Sequence, residues 1–256
     1  MDNKKINWSR EETILAFELY CTIPEGKDTV YNEQIIALAS VINRSVNSVK
    51  LKLQNFKSYD PSYMSDGRIG LSHGSKLDKK ICTEFLNSWD ALVEETAEIK
   101  NRFGMLQNEP EEKYTELEMP IGTDKIRVQK NRIGQAFFRR AVLSSYNGKC
   151  CITGINNPVL LRASHIKPWS KSNDINEKTN PQNGVLLNAL HDAAFDKGLL
   201  TISLDYKIVI SSKLMDIDDG NKLFFYNYNG KEINKPIRFL PSKEFIEYHN
   251  DVVFMR

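Results

Sequence analysis

The chain reads as an α+β protein in two parts, a helical N-terminal domain and a C-terminal domain built on a strand, loop, strand and helix. Three observations carry this reading. Apolar residues recur at helical spacing behind Ser caps through the first hundred residues, a Glu- and Pro-bearing stretch interrupts them, and short apolar runs then alternate with Asn, Pro and Gly turn signals. At 256 residues, with 41% hydrophobic and 27% charged content, the chain can bury more than one core. A formal net charge of +2 does not by itself point to a polyanionic partner, so the local distribution of charge decides.

The elements follow in order. Ser9 and Glu12 have the spacing of a capping box, and Ile14, Leu15, Leu19 and Tyr20 behind them predict the first helix. Asn32 to Ile42 and Ser45 to Phe56 read as two helices broken at Asn43 and Arg44, with Ile35, Leu38, Ala39, Val46, Val49 and Leu53 facing one core. The pair looks like a helix-turn-helix, whose second helix would present Asn47, Lys50, Gln54 and Lys57 to the DNA major groove. Leu77 to Ala97 reads as one further helix with Ile81, Phe85, Trp89 and Leu92 on its core stripe. These elements make up a helical, DNA-recognition domain over residues 1–100. Residues 101–125, with Glu109, Glu111, Glu112, Glu116 and Glu118 beside Pro110 and Pro120, read as an acidic linker.

The second domain spans residues 126–256. Ile133, Ala136, Phe137, Arg140 and Ala141 predict a helix stopped by Gly148, with Arg132, Arg139 and Arg140 turned towards solvent or DNA. Leu160 and Leu161 lead a strand into His165, Pro168 ends it, Asn180, Pro181, Asn183 and Gly184 mark turns, and Val185 to Leu187 enter a short helix at HDAAFD. LLTIS, DYK and IVIS predict a β-hairpin, LFFYNYNGKEI a second one turning at Asn229 and Gly230, and Ser242 to Val252 a closing helix.

One segment concentrates the chemistry. ASHIKPW, NPQNGVLL and HDAAFDKG bring an isolated histidine, an asparagine and a His/Asp cluster into one compact unit, a set of groups that suits phosphodiester hydrolysis on one metal ion. These motifs resemble the HNH nuclease family, with its ββα-metal fold, over residues 132–211. A further likeness, to the C-terminal extensions of these nucleases, runs through LPSKEFIEYHNDVVF. The resemblance implies that His165 is the general base that takes a proton from the attacking water, and that Asn183 orients it. An imidazole of ordinary pKa near ~6.5 suits that task. It further implies helix ligands for the metal, Asp196 with either His191 or Asp192. Ser164 stands on the first-strand side, where many members carry Asp or His and where a hydroxyl is a weak ligand. Asp192 and Asp196 share a helix face at i and i+4, and carboxylates with imidazole accept Mg²⁺ or Mn²⁺. Lys167 and Lys171 are candidate phosphate contacts beside Trp169.

The expected activity is divalent-metal-dependent cleavage of double-stranded DNA, of the kind used in restriction or defence, with a preference for modified DNA within its range. One site per chain acting on a duplex implies either two nicks or a homodimer. The alternative is a DNA-binding or regulatory protein whose nuclease unit is inactive, for which Ser164 is the argument. Cys150 and Cys151 are adjacent and the second pair of a zinc knuckle is absent, Asn188 and Leu190 standing there, so a structural zinc is not expected. No apolar leader or bilayer-length run is present, which leads to an expectation of a cytoplasmic protein without disulfides or membrane association.

Overall fold

The computed structural model describes residues 7–65, 74–105, 125–214 and 219–256. It divides into two compact units, Met1–Phe137 and Phe138–Arg256. Most of the expected linker, residues 106–124, lies outside the described residues.

In the first unit, helix α1 (Arg10–Thr22) opens with the capping box that its sequence predicts. Glu12 donates its backbone N–H to Ser9 Oγ at 3.1 Å while its carboxylate accepts the Ser9 N–H at 2.7 Å. Helices α2 (Glu33–Val41) and α3 (Val46–Lys57) start at side-chain caps from Asn32 and Ser45. Asn43 takes a left-handed φ of 52° in the turn between them, a conformation that Asn tolerates better than bulkier residues. After the short α4 (Pro61–Ser65), the expected single helix over 77–97 is two, α5 (Lys76–Phe85) and α6 (Trp89–Arg102). The break lets both helices pack on α1, and Ile81, Phe85, Trp89 and Leu92 stay fully buried across it. Phe17 meets Phe56 edge-on at 5.2 Å in the centre of this unit. The unit also buries an ion pair, Lys52 Nζ to Asp78 Oδ1 at 2.5 Å, whose carboxylate completes the cap of α5 through the Ser75 N–H.

In the second unit, α7 (Lys125–Ser145), which begins in the first, ends where Gly148, at φ 64°, donates its N–H to the Leu143 carbonyl at 2.8 Å. Strands β1 (Leu161–His165) and β2 (Gly184–Asn188) pair antiparallel, from Leu161 opposite Asn188 to His165 opposite Gly184. Every residue of β2 is buried, which is what its unbroken apolar run demands. Helix α8 (Ala189–Asp196) follows β2 directly and packs on both strands. Gly184 allows α7 to lie against β2, because a Cβ there would meet Val142 Cγ2 at 2.5 Å and Phe138 Cζ at 2.8 Å.

Strands β3 (Leu200–Ile202) and β4 (Ile208–Ile210) form the expected hairpin. The second hairpin does not form. LFFYNY instead makes the end of α9 (Asp219–Phe224) and a 3₁₀ turn at Tyr226–Tyr228, because the Phe225 and Tyr228 N–H groups close helical turns onto the Asn221 and Phe225 carbonyls. The turn at Asn229 and Gly230 is real, but it returns Lys231 to the edge of β4 through a 2.8 Å bond from the Ile208 N–H. Helix α10 (Lys243–Tyr248) and a π turn over His249–Val253 close the chain. Gly198, at φ 68°, makes room for this ending: a Cβ would lie 2.1 Å from the Val253 carbonyl oxygen.

Candidate active site

His165 is the last residue of β1, half-buried, with its ring stacked on Phe138 of α7 at 3.7 Å between centroids and met edge-on by Trp169 at 5.4 Å. Its Nε2 lies 2.9 Å from the Lys178 carbonyl oxygen. A carbonyl can only accept, so Nε2 carries the proton and Nδ1 keeps the lone pair. Burial, opposed by that hydrogen bond, pushes the imidazole down to about 4. His165 is therefore neutral at pH 7, with Nε2 anchored and Nδ1 left as the acceptor nitrogen, and burial makes it a weaker base than the ordinary imidazole expected from the sequence.

Asn183 has no exposed surface and uses its whole amide on the loop that follows β1. Oδ1 accepts the Lys167 N–H at 2.8 Å, and Nδ2 donates to the Lys167 carbonyl at 3.1 Å, Ser172 Oγ at 3.3 Å and the Glu177 carbonyl at 3.1 Å. Its own carbonyl accepts the Ile166 N–H at 2.9 Å. Asn183 thus holds the chain that follows His165 and contacts that loop rather than the imidazole.

Side chains of successive strand residues leave on opposite faces. His165 turns to α7, whereas Ser164, almost fully buried, donates its hydroxyl to Asp192 Oδ1 on α8. Burial raises the Asp192 carboxyl and the Ser164 bond lowers it, with a net upward shift. Asp196, one turn on, keeps an exposed side, but desolvation by the surrounding chain and then the neighbouring Asp192 charge push its carboxyl up to about 6. Ser164 and Asp192 thus meet on the β1–α8 face, with Asp196 one helical turn on.

His191 does not join them. The Asn188 cap, which accepts from the Leu190 and His191 N–H groups, starts α8 at Ala189 and turns the third residue inward. His191 is 2% exposed, with Nδ1 3.0 Å from Asn188 Oδ1 and Nε2 2.8 Å from the Phe224 carbonyl oxygen. Both nitrogens are engaged in the core, so of the two alternatives on this helix the geometry favours Asp192. Among the described residues no group of three or more His, Cys, Asp or Glu side chains is arranged to hold a metal ion, so the protein offers two carboxylates and a hydroxyl.

The basic candidates separate in the same way. Lys167 is paired with Glu177 at 2.7 Å and lies over the Tyr248 ring, so it is not directed at solvent; Lys171 is exposed. Arg139 is half-buried and donates to the Leu161 carbonyl at 3.2 Å, and Arg140 is half-buried too, so neither stands fully out from the helix as its spacing suggests. On α3, Asn47 is exposed and Lys50 and Gln54 are half-buried. Lys57 is drawn back into ion pairs with Glu25 at 3.0 Å and Asp28 at 2.9 Å, because it sits at the end of the helix beside the loop after α1. Leu51, which sequence reasoning passed over, is 52% exposed on the same face.

Cys150 and Cys151 are buried thiols, and Cys150 Sγ accepts the Asn188 N–H at 3.3 Å while Asn188 Nδ2 reaches Thr153 Oγ1 at 3.2 Å. Side-chain hydrogen bonds close this loop onto β2. Sequence reasoning passed over Lys178 and Glu177, whose contacts depend on a backbone carbonyl and a pairing that spacing does not reveal. No described helix is long and apolar enough to cross a membrane.

No curated protein matches the chain. Residues 150–203, which run from the buried thiols through β1, the Asn183 loop, β2, α8 and β3, match the family model for HNH endonuclease. With a neutral histidine at the strand end and acidic oxygens on the following helix, this segment is similar to the HNH endonuclease family over those residues.

Proposed function

We propose that the protein is a divalent-metal-dependent DNA endonuclease in which His165 is the general base. The observation that carries this reading is the His165 imidazole, neutral and held through Nε2 so that Nδ1 alone can accept a proton. Nδ1 would take the proton of the attacking water. Phe138 and Trp169 fix the ring plane, and the Asn183 amide holds the loop that follows β1.

Ser164, Asp192 and Asp196 fit a hard cation, since Mg²⁺ is commonly held by one or two carboxylates with water and phosphate oxygens completing its shell. Asp192 and Asp196 would hold the ion, with Ser164 orienting Asp192. When bound, the ion would supply charge neutralisation on the phosphate and leaving oxygen. Candidate DNA contacts are Lys171 in this unit and, separately, Asn47, Lys50 and Gln54 of α3 in the first unit, where amide side chains can read adenine and lysine can meet phosphate or guanine. A site-selecting helical unit joined to a cutting unit fits a restriction or defence role, and a homodimer would supply two sites for a duplex.

The test is cleavage of supercoiled plasmid by wild type, Asp192→Asn and Asp196→Asn across Mg²⁺ and Mn²⁺ concentrations. Cutting that needs the ion, with both variants requiring more of it or failing, supports the assignment. Wild-type cutting by both variants at every metal concentration refutes these ligands.

A further inference from the structure

The loop between β1 and β2 contains a carboxylate, Glu177, that is tied to Lys167 and Asn173 and precedes the residue whose carbonyl anchors the histidine. Glu177 Oε2 accepts the Lys167 ammonium at 2.7 Å and the Asn173 N–H at 2.8 Å, and its side chain is only 13% exposed. Its backbone carbonyl accepts from Asn183 Nδ2 at 3.1 Å. The next residue is Lys178, whose carbonyl receives the His165 Nε2 proton at 2.9 Å. Glu177 is thus tied at both its side chain and its carbonyl, one peptide unit from the group that fixes the imidazole. Lys167, two residues beyond His165 in the chain, is its ionic partner. The loop is therefore clamped at Lys167 and at Asn183, on either side of the peptide that presents the Lys178 carbonyl, and Lys178 itself is further tied to Asn173 and Asp174.

We propose that Glu177 is a positioning residue that sets the tautomer of His165 by holding the Lys178 carbonyl on Nε2. This rests on the nuclease reading for its consequence, although not for its structural content. A free neutral imidazole distributes its proton between both nitrogens, and only the Nε2–H form leaves Nδ1 as the base. Releasing the clamp lets the proton move to Nδ1 in part of the population and blurs the ring's placement. Loss of placement of about an ångström at a catalytic group lowers turnover by up to ~10²-fold.

The experiment compares wild type, Glu177→Ala and Glu177→Gln, with His165→Ala used to assign the His165 signals among the chain's four histidines. Ring nitrogen shifts from ¹⁵N NMR at neutral pH report the tautomer, and cleavage kinetics separate kcat from KM. Wild type is expected to show a protonated Nε2 and a bare Nδ1. Glu177→Ala is expected to show a mixture, with kcat about tenfold or more lower and KM within about twofold. Glu177→Gln keeps one acceptor oxygen and should fall between the two, which serves if the Ala variant does not fold. A folded variant that keeps the wild-type His165 tautomer overturns the proposal, whatever its rate. If wild type cuts no DNA, the nuclease reading fails, while the tautomer comparison still decides the role of Glu177.

Discussion

Gly184→Ala tests the packing that places His165. Gly184 is opposite His165 in the β1–β2 ladder, and its φ of −128° suits any residue, so backbone strain does not enter. Freed of strain, Gly to Ala would stabilise by about 0.4–1 kcal/mol through the unfolded chain. Space decides otherwise. The new methyl would sit 2.5 Å from Val142 Cγ2 and 2.8 and 3.1 Å from two Phe138 ring carbons, where carbon atoms prefer about 3.5–4 Å. Val142 is β-branched in a helix and 0% exposed, and Phe138 is 2% exposed, so neither can turn aside and α7 must move by roughly an ångström. Overpacking of this kind costs about 1–3 kcal/mol, which leaves a net loss of about 1–2 kcal/mol after the entropic gain. For a cooperative unit of this size that is a fall in Tm of about 3–8 °C, read by calorimetry. Val142→Ala added to Gly184→Ala should recover part of the loss attributable to the clash. A single variant as stable as wild type, or more stable, would refute the close approach of α7 to β2.

Other consequences are open to direct measurement. Lys52→Met leaves Asp78 charged in a site with no exposed surface, and chemical denaturation should show about 3–5 kcal/mol lost from the first unit; less than about 1 kcal/mol would mean that the pair is not buried as described. His249 is pushed down to about 4 by burial, so between pH 6.5 and 4 the unfolded chain binds the extra proton and stability falls as pH falls. Lowering from the ordinary value to about 4 corresponds to about 3 kcal/mol of stability by pH 4, and a His249→Asn variant should show a shallower acid limb in pH-dependent unfolding. Ser164→Ala removes the donor to Asp192 and should raise the Mg²⁺ concentration that cleavage needs about tenfold while DNA affinity holds; an unchanged metal requirement would remove Ser164 from the site.

The parts of this fold that were legible in the sequence are those governed by neighbours in the chain. Ser9 with Glu12, Asn32 and Ser45 announced helix starts because a cap is a local bond, and VLL announced a buried strand. The break between α5 and α6 was hidden because Phe85 and Trp89 stay four residues apart, which keeps the stripe in phase through the turn. LFFYNY misled because aromatic residues favour strands until helical turns close on Asn221 and Phe225. At the candidate site, His165 and Asn183 stood out by motif, whereas the frame of α8 did not. A one-residue ambiguity in a helix two turns long moves a candidate ligand from the strand-facing side to the core, and the Asn188 cap puts His191 in the core. Phe138, Lys178 and Glu177 act through long-range or backbone contacts that carry no local signature.

The most direct measurement is the cleavage of duplex DNA by wild type and His165→Ala, with Mg²⁺, Mn²⁺ or EDTA, alongside DNA affinity of both proteins in EDTA. If His165 is the base, wild type cuts only with the ion, His165→Ala loses at least about 10²-fold in rate, and the two affinities agree within a few-fold. Equal cutting by both proteins at matched metal would contradict the role given to His165, and binding without any cutting by wild type would show that the site is not a nuclease.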